Sequence, residues 1–127
     1  MDIRLRPLRD EEFDGYLAAQ QVEYARSLVD EARISVVEDA ATAEPVGRVF
    51  WAPRGEDRAY IYDLFIEERF RGKGLGRRAL ELIEEAARAE RLRGIDLNVW
   101  GANDVARGLY SAAGYYERAV FMSKELG

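Results

Sequence analysis

The 127-residue chain contains no cysteine and no histidine. Disulfides, thiol nucleophiles, histidine-based triads and the usual zinc sites are therefore excluded. Any acid or base at work must be Asp, Glu, Lys, Tyr, a terminus or water. Long apolar runs are also missing: none approaches the roughly 20 residues that span a bilayer. The start, "MDIRLRPLRDEEF", lacks the apolar stretch of a secretory signal. The expectation is a cytoplasmic protein with no membrane partner. An excess of basic charge is absent as well. The net charge of −5 speaks against nucleic acid as a partner, because nucleic-acid-binding domains carry a basic face.

What is present, 48% apolar and 34% charged residues, is the composition of a folded globular chain. The length suits one domain over residues 1–127, with no linker or repeat. Charge is unevenly spread. Residues 1–66 hold 8 basic and 14 acidic side chains, and residues 67–127 hold 11 and 10. Within the second half, Arg69, Arg71, Lys73, Arg77 and Arg78 follow one another with no acid between them. A local cationic site of this kind in an acidic protein suits a small anion.

Apolar periodicity and turn residues predict the order β α β β β α β α β. A first strand at Ile3, Leu5 and Pro7-Leu8 is followed by a helix over "RDEEFDGYLAAQQVEYARSL", with Phe13, Leu17, Tyr24 and Leu28 near helical spacing. "ARISVVED" and "VGRVFWA" read as a hairpin, and "RAYIYDLFI" as a central strand that is apolar on both faces except at Asp63. A helix from Leu75 to about Arg91 buries Leu75, Ala79, Leu82/Ile83 and Ala86/Ala87, with Glu84 and Arg88 as an i,i+4 pair on its wet side. "GIDLNVW" is a further strand. A short helix opens at Asn103-Asp104 and ends before Gly114, and "YYERAVFMSKEL" reads as a last strand. The fold class is α/β, a mixed sheet flanked by helices.

"RFRGKGLGRRAL", Arg69 to Leu80, joins the central strand to the long helix through three glycines at alternate positions. A strand, a glycine-rich turn and a helix N-terminus together present unpaired backbone N–H groups and the positive end of the helix dipole to one spot. An anion binds readily there. The string is not a P-loop, since no Gly-Lys-Ser/Thr follows at the required spacing. Nor is it a dinucleotide fingerprint, because Arg77 stands where the third glycine belongs.

What remains, Arg71-x-x-Gly74-x-Gly76, resembles the R/Q-x-x-G-x-G/A signature of the GCN5-related N-acetyltransferases, the GNAT family. A second family signature, N-x-x-A-x-x-L-Y-x-x-x-G-F/Y behind a strand, is matched by Asn103, Ala106, Leu109, Tyr110, Gly114 and Tyr115 after "DLNVW". The close resemblance covers about Ala59 to Tyr116. It implies a central twisted mixed sheet and acetyl-CoA as cosubstrate, with the pyrophosphate of coenzyme A in the glycine loop and no metal.

By that resemblance, backbone amides of Arg71, Gly72, Lys73, Gly74, Leu75 and Gly76 hold phosphate oxygens, with charge added by Arg71 and Lys73. Asn103 caps its helix, bonds to the pantetheine arm, or does both. The Tyr110 hydroxyl protonates the departing thiolate, and a backbone N–H at Phe65 or Ile66 holds the oxyanion. The base is Asp63 or a water: many members have a glutamate where this chain has Phe65, and a buried Asp63 would be pushed toward a base's range. Asp63 is equally readable as a structural acceptor. Tyr16, Tyr24, Trp51, Tyr60, Tyr62 and Trp100 are candidates for an acceptor pocket, though core packing is the commoner fate of aromatics in such elements.

The family's direct transfer of an acetyl group to a primary amine, of a small molecule or a peptide, needs no Cys or His and is compatible with this chain. Only "VDEA" separates Leu28 from Arg33, so the region of the family's first two helices is shortened and the acceptor side is open. The alternative is a non-catalytic acyl-CoA-binding module that lacks a complete acceptor site. The oligomeric state, monomer or homodimer, is left open.

Overall fold

Alternating apolar and polar side chains in the first half of the chain build an antiparallel ladder. The computed structural model describes residues 1–9, 11–12 and 33–127. In it β1 (Ile3–Pro7) pairs with β2 (Arg33–Asp39), β2 with β3 (Pro45–Arg54), and β3 with β4 (Arg58–Ile66), all antiparallel. β5 (Gly94–Leu97) joins β4 in parallel, which gives a mixed five-stranded sheet in the order β1-β2-β3-β4-β5. Parallel neighbours need a crossover. It is supplied by a 3-10 turn at Glu68–Phe70 and helix α1 (Leu75–Ala89); helix α2 (Asp104–Ala112) follows β5.

The core lies between one sheet face and α1. Val37, Val46, Val49, Trp51, Ala59, Ile61 and Ile66 face Leu75, Ala79, Leu80, Ile83 and Ala87. The recurrence at 75, 79, 83 and 87 is the apolar stripe that the helical period demands. Leu80 and Ile83 have no exposed surface; each contributes about 1.5–3 kcal/mol by leaving water. At the other edge the buried Glu38 receives Arg4 and Arg6 at 2.7 and 3.0 Å, so its charge is paired. Among the described residues no helix is long and apolar enough to cross a membrane.

Some expectations fall elsewhere. The helix over Arg9–Leu28, with Phe13, Tyr16, Leu17 and Tyr24, and the short link after it lie outside the described residues, except Arg9, Glu11 and Glu12. Trp51 is a core residue, 2% exposed, and so is no pocket wall. Glu84 and Arg88 make no ion pair with each other; both line a cavity beside β5, and Arg78 pairs instead with Glu81 and Glu85. The expected terminal strand does not form. Residues 115–127 lie outside the sheet, with Phe121 93% exposed. A strand exists only where its backbone groups find a ladder, and β5, the edge next to it, is four residues long.

Candidate active site at the gap between β4 and β5

The gap begins with one extra residue. β3 and β4 pair Phe50 with Asp63 but Trp51 with Ile61, so Tyr62 is a bulge on β4. A bulge bends its strand and increases the local twist. The β4–β5 pairing stops at the same place, Ile61 with Leu97, and residues 62–66 of β4 have, among the described residues, no partner strand on that side. The bulge also places Tyr62 and Asp63 together on one face, next to Tyr60 and Phe65, because it interrupts the period of two. The Tyr60 and Tyr62 rings lie 4.7 Å apart.

Alternation along β4 decides which amide faces the gap. The Glu67 amide donates to the Val46 carbonyl of β3, so Phe65 turns the same way and Ile66 the opposite way. The Ile66 carbonyl accepts from Arg71 Nε at 2.8 Å, on the side away from β3. Of the two residues singled out as oxyanion donors, Ile66 has its amide toward the gap.

The glycine loop sits at the mouth of the gap. Gly72 and Gly74 adopt φ +77° and +78°, and a side chain at either would meet nothing within 4 Å. Gly74 is the N-cap of α1 and offers no side-chain cap. Among the described residues, no carbonyl accepts from the amides of residues 72–77, whereas Arg71 N–H is spent on the Glu68 carbonyl at 3.1 Å. The expected set of donors, 71–76, is therefore corrected at its first member. Gly76 has a different purpose: a Cβ there would stand 3.2 Å from Leu109 Cδ2. A side chain at Gly76 would require Leu109 to give way by a few tenths of an ångström, so a small residue suits the close approach of α1 and α2, and the two sequence signatures meet at that contact.

The cationic run is thinner in three dimensions than in sequence. Arg69 pairs with Glu44 and Glu67, and Arg78 with Glu81 and Glu85. Arg71 is turned inward, to the Ile66 carbonyl and the Phe65 ring 5.3 Å away. Among the described residues, Lys73 and Arg77 are the two cations of the run left without a carboxylate or carbonyl partner.

Asn103 is the N-cap of α2: its side chain accepts from the Ala106 amide at 3.1 Å. Tyr110, half-buried on α2, packs 5.7 Å from the Tyr115 ring. Burial pushes the Tyr110 hydroxyl above the usual tyrosine range, and the Asp63 charge adds to this. It therefore stays protonated and able to donate. Asp63 is not buried. Its side chain is 25% exposed, and Arg48 Nε holds one carboxylate oxygen at 2.9 Å. Arg48 also covers the Phe65 ring at 4.3 Å, so Phe65 lies under two guanidinium groups. Sequence reasoning missed Arg48 and the bulge. The signal for Arg48 was its register opposite Phe65, and a hairpin's register is not readable through a bulge. Trp100 is 85% exposed.

Residues 2–115 match the profile of the acetyltransferase (GNAT) family. N-acetyltransferase YycN of Bacillus subtilis (strain 168), an uncharacterized protein, is 31% identical over 157 residues, covering 99% of this chain and all of the relative. Since this chain has 127 residues, at least 30 of those positions (157 minus 127) have no counterpart here. The crystal structure of YycN superposes with a TM-score of 0.83 at 28% identity, over 98% of this chain and 99% of that one. Aminoglycoside 6'-N-acetyltransferase AAC(6')-Ih from Acinetobacter baumannii shares the fold, with a TM-score of 0.72 at 15% identity over 99% and 100% of the chains. The chain belongs to the acetyltransferase (GNAT) family and is an acyltransferase.

Proposed function

We propose that this enzyme transfers an acetyl group from acetyl-CoA to a primary amine, of a small molecule or of a peptide. The observation that carries the reading is the row of amides at residues 72–77, directed to no carbonyl among the described residues and set at the end of the β4–β5 gap. Gly72, Lys73, Gly74 and Arg77 are exposed, so these amides are open to a ligand from solvent, and a diphosphate suits this row at the positive end of α1. The cosubstrate supplies an acetyl thioester, which is open to attack by an amine.

The residues divide the work. Amides of Gly72 through Gly76 hold the phosphates, with charge added by Lys73 and Arg77. Arg71 positions the loop by tying it to the Ile66 carbonyl. The Ile66 amide, aimed into the gap, stabilises the negative oxygen that forms on the carbonyl under attack. The Tyr110 hydroxyl gives its proton to the leaving sulfur. A water, or Asp63 with its carboxylate paired to Arg48, takes the proton of the amine. Asn103 holds the start of α2 and so the position of Tyr110, seven residues on. Tyr60 and Tyr62, on the same face as Asp63, line the acceptor side. The N-acetyltransferase name of YycN supports a nitrogen acceptor.

The test is thiol release from acetyl-CoA with a panel of amines, comparing the wild type with Tyr110→Phe. Amine-dependent release is expected, with kcat lowered about 10²-fold in the variant, in the range of a lost general acid, and KM for acetyl-CoA unchanged. Tight coenzyme A binding without turnover of any amine would refute the transferase reading and leave a binding module.

A further inference from the structure

We propose that Gly47 and Arg48 of β3 are positioning residues for acetyl transfer. Gly47, by its lack of a side chain, and Arg48, by its hold on the Phe65 ring, set the Phe65–Ile66 peptide so that the Ile66 N–H meets the thioester carbonyl oxygen. The inference rests on the acetyl-transfer reading and adds to it two residues outside both sequence signatures.

It starts from a close approach. Gly47 is the register partner of Ile66. A Cβ on Gly47 would overlap the Phe65 carbonyl oxygen, and it would stand 3.1 Å from both Cα and Cδ1 of Ile66. Gly94 is the other described glycine whose Cβ would overlap a neighbour, but there the neighbour is the Arg58 guanidinium, a side-chain end that can swing away. At Gly47 the obstacle is backbone, which gives way only if β4 moves. The φ of Gly47 lies outside the left-handed region, so space and not backbone strain calls for glycine here. Glycine inside a strand marks such places, where a neighbouring backbone comes near.

The group that Gly47 admits belongs to the same peptide unit as the oxyanion donor. A trans peptide is planar, so the Phe65 carbonyl and the Ile66 N–H point opposite ways and turn together. The carbonyl faces Gly47 and the N–H faces the β4–β5 gap. A side chain that pushes the oxygen therefore displaces the donor on the far side. β3 grips β4 on either side of this peptide. Opposite Phe65, Arg48 lays its guanidinium over the ring at 4.3 Å. Just past Ile66, the Glu67 amide donates to the Val46 carbonyl at 2.8 Å. The β4–β5 ladder ends at Ile61, so among the described residues no strand on the gap side shares this task. From that side only Arg71 reaches in, to the Ile66 carbonyl at 2.8 Å. A donor held in this way is already in place when charge forms on the oxygen under attack.

Infrared spectra of bound, isotope-labelled acetyl-CoA and the rate of amine-dependent thiol release test this together. On the wild type the thioester carbonyl stretch is expected below its value in free acetyl-CoA, because a hydrogen bond weakens the C=O. In Gly47→Ala the stretch is expected to return toward the free value. Its kcat should fall roughly 10- to 100-fold, the cost of misplacing a reacting group by about 1 Å. Calorimetric affinity for coenzyme A should stay unchanged, since the diphosphate is held by other residues. A wild-type stretch and kcat in Gly47→Ala overturn the proposal, as does an affinity loss as large as the loss in kcat. If Gly47→Ala does not fold, the Phe65 ring decides. Phe65→Leu should lower kcat roughly fivefold, about the worth of the guanidinium–ring contact, and Phe65→Tyr should restore it; Phe65→Leu at the wild-type rate overturns the proposal. Acetyl-CoA bound to the wild type with an unshifted stretch overturns it too and leaves the transferase reading standing, whereas acetyl-CoA that does not bind the wild type refutes that reading itself.

Discussion

Replacing Gly74 by valine separates the backbone's part in cosubstrate binding from its part in stability. Gly74 has φ +78° and ψ 10°, and a Cβ there would meet no atom within 4 Å. The cost in the folded protein is therefore conformational, about 1–2 kcal/mol for an L-residue in the left-handed region. Relief of that strain rotates the Leu75 amide and its neighbours away from the mouth of the gap. Loss of one or two hydrogen bonds to a charged phosphate, at about 1.5–3 kcal/mol each, predicts an affinity for coenzyme A lower by roughly 10²-fold. The structure also provides the control. Gly55, in the turn between β3 and β4, has the same φ of +78° and the same empty surroundings. Gly55→Val should lower the urea midpoint as much as Gly74→Val does, yet leave the calorimetric affinity for coenzyme A unchanged. A Gly74→Val affinity within threefold of wild type, or an equal loss in Gly55→Val, would refute the assignment of the loop.

Charge gives two further predictions. Lys73→Glu should weaken coenzyme A binding more at low than at high ionic strength, because Lys73 is exposed and its contribution is screened; equal losses at both would indicate a steric cause. Acid should unfold the β1–β2 edge of the molecule. Hydrogen bonds from Arg6 hold the Glu12 carboxyl down to about 2, and bonds from Arg4 and Arg6 hold Glu38 below the usual glutamate range. Folded values below the unfolded one mean that this stability is fully present above about pH 5 and is lost as pH falls toward about 2. The urea midpoint should drop across that window, less steeply in Glu38→Gln. A midpoint flat from pH 5 to 3 would contradict the pairing.

Much of the site was legible because its parts are local. Arg71-x-x-Gly74-x-Gly76 occupies six adjacent positions, and Asn103 to Tyr115 is one short helix with its caps. Positive φ at Gly74 and the cap at Asn103 each depend on neighbours a few residues away. The apolar stripe of α1 is local in the same sense, since a period of 3.6 requires no knowledge of what it packs against.

Sequence by itself determined the order of the described elements from β1 to α2, the glycine turn at the head of α1 and the two signatures that name the family. Tertiary structure decided the rest. Arg69 lost its freedom to Glu44, 25 residues earlier, and Arg71 folded back onto the Ile66 carbonyl, which left Lys73 and Arg77 facing outward. Asp63 met Arg48 across the β3–β4 hairpin instead of lying buried. A single extra residue at Tyr62 ended the β4–β5 ladder and aimed the Ile66 amide into the gap. The terminal segment, with every mark of a strand, found no edge long enough to pair with. The common reason is that hydrogen bonds and ion pairs join groups distant along the chain, so composition and period state what a residue can do, and its partner decides what it does.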